Sequence, residues 1–124
     1  MVCRLERRKD LESENLARAI VDVIVGKMGE DVLLLDIRPV SPIADYFVLC
    51  SGNSERQLQA IYQDIQNKVG EMGIRPSHAE GLSGSGWILM DYGSVIVHIF
   101  LPQTRRYYNL EQLWKNARTV VRML

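Results

Sequence analysis

Much of what a catalytic or secreted protein of this size would carry is scarce or missing here. Two cysteines, Cys3 and Cys50, among 124 residues supply neither a disulfide framework nor the paired spacing of a zinc site, so both read as reduced thiols. The two histidines, His78 and His98, are far apart and form no ligand pair. Fifteen basic and fifteen acidic side chains cancel, whereas a protein that binds RNA or DNA by itself gains affinity by neutralising phosphates and carries a positive excess. Little autonomous nucleic-acid binding is therefore expected, and a protein partner should carry the affinity. No apolar run approaches the roughly 18 residues of a membrane span. The charged opening, Arg4 to Asp10, is followed by no signal-peptide core, and the chain reads as cytoplasmic with no membrane role.

What is present fits one compact domain, since a chain of this length with 47% hydrophobic residues can bury roughly two thirds of its unfolded surface. Residues 1–12 mix charges without apolar periodicity and read as a mobile lead-in. Ser13 is a plausible N-cap for a first helix whose Leu16, Ile20, Val23, Ile24 and Met28 share a face, with Gly29 as its stop. Val32–Ile37 and Tyr46–Cys50 read as strands separated by a bend at Pro39 and Pro42. From Ser54 to Met72 the apolar residues Leu58, Ile61, Tyr62, Ile65, Val69 and Met72 recur at helical spacing, between a Ser54/Gln57 capping box and a Gly73 C-cap. A short edge strand near Ser77–Glu80 precedes the glycine loop 81–86. Trp87–Asp91 and Val95–Phe100 form a hairpin around Tyr92-Gly93. A short helix over Tyr108–Trp114 closes residues 13–114 as a single domain, and residues 115–124 read as a basic C-terminal tail. The expected fold is α/β: a mixed sheet of about five strands with helices one and two covering it, and a partner docking where cover is lacking.

The candidate chemistry centres on Gly52-Asn53-Ser54, where a strand runs straight into a helix. Such a junction aims free backbone N–H groups outward and can seat an anion, yet the same residues also serve an unusual turn and a helix cap. Phosphate chemistry here needs carboxylates to hold divalent ions. No Asp-x-Asp or Asp-x-Glu occurs, and Glu12-x-Glu14 lies far from the turn. The loop Gly81-Leu82-Ser83-Gly84-Ser85-Gly86 lacks the lysine of a phosphate loop and enters a strand. Asp45, Glu80 and Asp91 suit strand ends and turns, and His98 alternates with Ile96 and Phe100 as a half-buried hydrogen-bonding residue. No catalytic group, metal site or cofactor is assigned. Trp87, Tyr92, Tyr107, Tyr108 and Trp114 gather near the hairpin and the C-terminal segment, with Arg105 and Arg106 beside them, and these residue types dominate binding hot spots. Trp114, with Leu110 and Leu113, reads as core. Trp87 is balanced between core and contact.

Several separate motifs resemble the Iojap-related ribosomal silencing factors of bacteria and organelles. They are Ala44-Asp45-Tyr46-Phe47-Val48, Gly52-Asn53-Ser54, Glu80-Gly81, Trp87 to Leu89, Asp91-Tyr92-Gly93, Val95 to Phe100 with Val97-His98, then Arg105, Tyr108, Leu110-Glu111 and Leu113-Trp114. The resemblance spans residues 13–114 in unbroken order. It implies a nucleotidyltransferase-like α/β fold without transferase activity. It also implies binding to the large ribosomal subunit through ribosomal protein fourteen, hindrance of small-subunit joining when nutrients are scarce, and homodimers of the free protein. The implied partner-binding set is Glu80, Trp87, Asp91, Tyr92, His98 and Arg105. Two other functions remain open at this level: a small nucleotide-binding or nucleotidyl-transferring enzyme using the Gly52–Ser54 turn, and a large-subunit assembly factor.

Overall fold

The computed structural model describes residues 4–82 and 84–123, with side chains from Glu12 onward; Cys3 and Leu124 lie outside the described residues. Elements run α1 (Arg4–Gly26), β1 (Glu30–Asp36), β2 (Tyr46–Ser51), α2 (Glu55–Glu71), β3 (His78–Glu80), β4 (Trp87–Asp91), β5 (Val95–Phe100), α3 (Pro102–Tyr108), α4 (Leu110–Leu113) and β6 (Arg118–Met123). The strands make one mixed sheet in the order β3-β4-β5-β2-β1-β6. Only β2 and β5 pair in parallel, Tyr46 opposite Val95 through Ser51 opposite Phe100; the other four pairings are antiparallel.

Strand alternation sorts the apolar residues into two cores. Leu34, Val48, Cys50, Ile88, Met90, Val97 and Ile99 face α1 and α2, whose Leu16, Ile20, Ile24, Leu58, Ile61, Ile65 and Val69 complete the larger cluster. Leu33, Leu35, Phe47, Leu49 and Phe100 face the other way, under Trp87, Leu110, Trp114 and Ala117. Both long helices thus cover one side of the sheet, and the α4 region roofs only part of the second.

The second helix matches its sequence signature. Ser54 Oγ accepts from the Gln57 N–H at 3.1 Å, a cap worth about 0.5–2 kcal/mol. The Gln57 side chain reaches back to the Asn53 N–H at 2.7 Å, one residue before the Ser54 amide that a standard capping box would use. Gly73, at φ 80°, ends the helix in the left-handed region.

Several expectations need correcting. The first helix runs back to Arg4, so Ser13 is not its cap but a buried interior residue, and the span read as a lead-in is helical from Arg4 on. Its stop is also different: Met28 takes the left-handed φ of 64° and is 77% exposed, while a Cβ on Gly29 would fall 2.4 Å from Ile24 Cγ2. Gly29 is required by close packing, with Met28 making the turn. At the other end, the segment read as a basic tail is an edge strand. Arg118–Met123 pairs antiparallel with β1, Val32 opposite Met123 and Asp36 opposite Arg118, which raises the sheet to six strands. Asp36 secures this edge. Its buried carboxylate binds Arg38 at 2.7 Å and Arg118 at 3.0 Å, and these hydrogen bonds, Arg38 foremost, hold its pKa down to about 2 against the opposing effect of burial. The predicted helix over 108–114 is also broken in two, because Asn109 adopts a left-handed conformation at φ 49°. Leu110 and Trp114 pack inward as expected, but Leu113 is 71% exposed.

Candidate functional site

The open part of the second sheet face lies over β3, β4 and β5. In β4, Ile88 and Met90 are buried against the helices, while Trp87, Leu89 and Asp91 on the opposite side stay half-exposed. Antiparallel pairing sets Glu80 opposite Leu89 and His78 opposite Asp91, so both β3 residues project to the same face. On that face His78 Nε2 lies 2.6 Å from Glu80 Oε1. Ile96, opposite Asp91 across the hairpin, is likewise half-buried. The result is a surface with an apolar centre, Trp87, Leu89 and Ile96, rimmed by His78, Glu80 and Asp91.

Beneath it His98 is 5% exposed, walled by Phe47, Trp87 and Phe100 at ring separations of 5.0, 5.8 and 6.0 Å. Trp87 Nε1 donates to His98 Nδ1 at 3.2 Å. That bond places the imidazole proton on Nε2, which has no partner among the described residues. Trp87 also packs on Phe100 at 5.0 Å and on Tyr108 at 4.8 Å. The indole is held on three sides by aromatic rings and presents the rest to solvent. Gly81 supports the arrangement from behind: at φ 83°, any Cβ there would sit 1.8 Å from the Trp87 carbonyl oxygen.

Burial pushes the His98 pKa from an ordinary value near 6.5 down to about 4. The unfolded chain therefore takes up this proton first, so the stability contributed is complete above pH 6.5 and is lost as the pH falls toward 4. Urea denaturation at pH 7 and pH 4.5 should show His98 accounting for a loss of about 2–3 kcal/mol. His98→Phe, which keeps a ring but cannot titrate, should flatten the curve by that amount; an unchanged curve would mean that His98 is solvated.

The six expected partner-binding residues do not share one place. Glu80, Trp87 and Asp91 border the open surface and His98 lies under it. Tyr92 is on the helix side, packed against the larger core, where burial raises its pKa to about 12 and its hydroxyl has no partner among the described residues. Asp91 also serves the hairpin, accepting from the Gly93 N–H at 2.7 Å. Arg105 lies toward β1 and β2, donating from Nη1 to the Asp31 carbonyl at 2.7 Å and to Ser51 Oγ at 2.9 Å, and from Nε to Glu111. It braces α3 and α4 against the strand ends. Sequence reasoning placed Ile96 with His98 on one strand face but missed Leu89, whose strand parity with Trp87 was the available signal, and the role of Phe47 beneath His98.

Among the described residues no group of three His, Cys, Asp or Glu side chains could hold a metal ion, and no helix is long and apolar enough to cross a membrane. The chain belongs to the family described as "Ribosomal silencing factor during starvation", whose model matches residues 10–123, a family of non-enzymatic regulators of translation that bind the large ribosomal subunit. It is 46% identical over 91 residues to the ribosomal silencing factor RsfS of Bacillus subtilis, covering 73% of this chain and 77% of that one. With RsfS of Halalkalibacterium halodurans identity is 40% over 110 residues, covering 89% and 94%. A crystal structure of a Chromobacterium violaceum protein aligns with a TM-score of 0.79 at 29% identity, over 82% of this chain and 85% of that one.

Proposed function

We propose that the chain docks through its open β3–β4–β5 face onto ribosomal protein fourteen of the large subunit and, by occupying the intersubunit side, sterically blocks the small subunit, lowering translation when nutrients are limiting. The observation that carries this reading is the half-exposed Trp87, fixed by Phe100, Tyr108 and His98 at the edge of the one sheet face that the long helices leave uncovered. A rigid aromatic with a polar rim is the make-up of an interface centre, because little side-chain freedom remains to be lost on binding. Glu80 and Asp91 are the rim acids of this proposed contact, suited to a basic ribosomal protein, and His98 supports it from below. Tyr92 and Arg105 act through the fold, the first from the helix side and the second by bracing α3. The zero net charge favours local complementarity over general attraction to RNA. Action in the cytoplasm and a homodimer of the free protein belong to the same proposal.

The test combines sedimentation with a joining assay. The protein should migrate with free large subunits in a sucrose gradient, reduce assembly of complete ribosomes from isolated subunits, and lose both effects when excess free ribosomal protein fourteen is added. Migration with small subunits, or undiminished joining at saturating protein, would overturn the proposal.

A further inference from the structure

A second site lies away from the aromatic surface. Between the start of β1, the end of β2, α3 and the end of β6 is a cavity of about 440 Å³, within the roughly 300–1,000 Å³ range of small-molecule sites. Three arginines line it from opposite walls: Arg105 and Arg106 from α3, Arg122 from β6. Arg105 is held rigid by Ser51, the Asp31 carbonyl and Glu111, and its side chain is only 11% exposed. Arg106 and Arg122 form no ion pair among the described residues. Of the two lining carboxylates, Glu111 is committed to Arg105, which leaves Asp31 alone against two free guanidinium groups.

The backbone gives an independent sign. Among the described residues three non-glycines have positive φ, and two of them, Asp31 at 47° and Asn109 at 49°, line this cavity. Asp31 sits where the β1–β2 register shifts, and the distortion turns its carbonyl onto Arg105. Strained conformations of this kind gather where a ligand is clamped. Leu33, Pro102 and Met123 add apolar wall beside the charges.

We propose that this cavity binds a phosphorylated small molecule of nucleotide size, its phosphates held between Arg106 and Arg122 with Arg105 as the fixed donor, and its uncharged part against Leu33, Pro102 and Met123. Guanidinium forks match phosphate oxygens in pairs, and fixed forks lose little freedom on binding. This site is independent of the ribosomal reading, and the two can fail separately.

The test is calorimetric titration of the full chain with GDP, ADP, inorganic diphosphate and a short single-stranded RNA. A nucleoside diphosphate should saturate with a Kd below about 1 mM, and inorganic diphosphate should bind more weakly through the charges alone. Arg106→Gln and Arg122→Gln should each weaken binding at least roughly tenfold. Neither residue braces the fold, so the variants should melt as the parent does. Lys68→Gln, on the exposed face of α2, should bind as the parent does. Amide shifts on titration should centre on Asp31, Asn109 and Arg122. Absence of saturation with every phosphate compound, or binding by both arginine variants as tight as the parent's, would overturn the proposal, as would RNA binding that depends on these arginines when mononucleotides do not bind.

Discussion

Ile65→Ala should destabilise the protein by about 2–5 kcal/mol, because it removes three carbons from the middle of the fully buried α2 stripe and leaves a cavity. Ile65 is 0% exposed, as are Leu58, Ile61 and Val69 on the same helix face. The stripe fills the space between α1 and the sheet residues Val48, Val97 and Ile99, so no neighbour can collapse into the gap without moving an element. A domain of this size has a total stability of only about 5–15 kcal/mol, and the loss would consume a large part of it. Equilibrium urea denaturation should show a lower midpoint with the same slope, the mark of a weaker native state with unchanged compactness. Asn67→Ala, on the exposed side of the same helix, should stay within about 0.5 kcal/mol of the parent. A loss below about 1 kcal/mol for Ile65→Ala would mean that the helix is not the clamp that holds the sheet.

Ile65 is legible in the sequence because α2 advertises itself at every level. Its apolar period, Ser54 cap and Gly73 stop all point to the same element, and the structure reproduces them except at Met72, which ends the period 49% exposed. Strands β2, β4 and β5 were legible for a related reason: each carries enough apolar residues to be buried on at least one face. The sixth strand offered no such signal. Only Val120 and Val121 are half-buried and the rest is exposed, and its place in the sheet comes from pairing with β1, including an Arg118–Asp36 contact across 82 residues. Local sequence carries no trace of that pairing. The break at Asn109 was less visible, since Leu110 to Leu113 favour helix and only Asn109, a residue type that takes the left-handed conformation readily, separates α3 from α4.

Within the site, residue type was more legible than position. Strand parity already placed His98 with Ile96 and Phe100, and the structure keeps them on one face, although burial of His98 is nearly complete. Tyr92 and Trp87 looked like a pair bracketing one strand. Their sequence offset is odd, and alternation sends them to opposite faces of the sheet. Arg105 was visible as a hot-spot type near aromatics, but its partners, Asp31, Ser51 and Glu111, come from three separate parts of the chain. The arginine cavity escaped notice for the same reason: its walls come from the distant segments 31–33, 51, 102–111 and 122–123.

Truncating Trp87 is expected to have the largest effect on partner binding, a loss of at least about thirtyfold in affinity for isolated ribosomal protein fourteen, equivalent to about 2 kcal/mol. The indole supplies the broadest rigid area of the open face, and its removal leaves Phe100, Tyr108 and His98 lining an empty hollow that the partner would have to cover without filling. Because Trp87 is half-buried, Trp87→Ala should also lower stability, by about 2–3 kcal/mol, less than the roughly 3–5 kcal/mol for a fully enclosed aromatic. Affinity must therefore be measured well below the variant's melting temperature, where the folded fraction is complete. Trp87→Phe separates the two roles. It keeps a ring against Phe100 and Tyr108 but loses the Nε1 donor to His98, so it should restore most of the stability and only part of the affinity, the indole's larger face being absent. A folded Trp87→Ala protein that binds the ribosomal protein normally and still blocks subunit joining would remove the open β3–β4–β5 face from the proposed contact. A protein whose binding loss tracks its unfolded fraction at every temperature would make Trp87 a core residue alone.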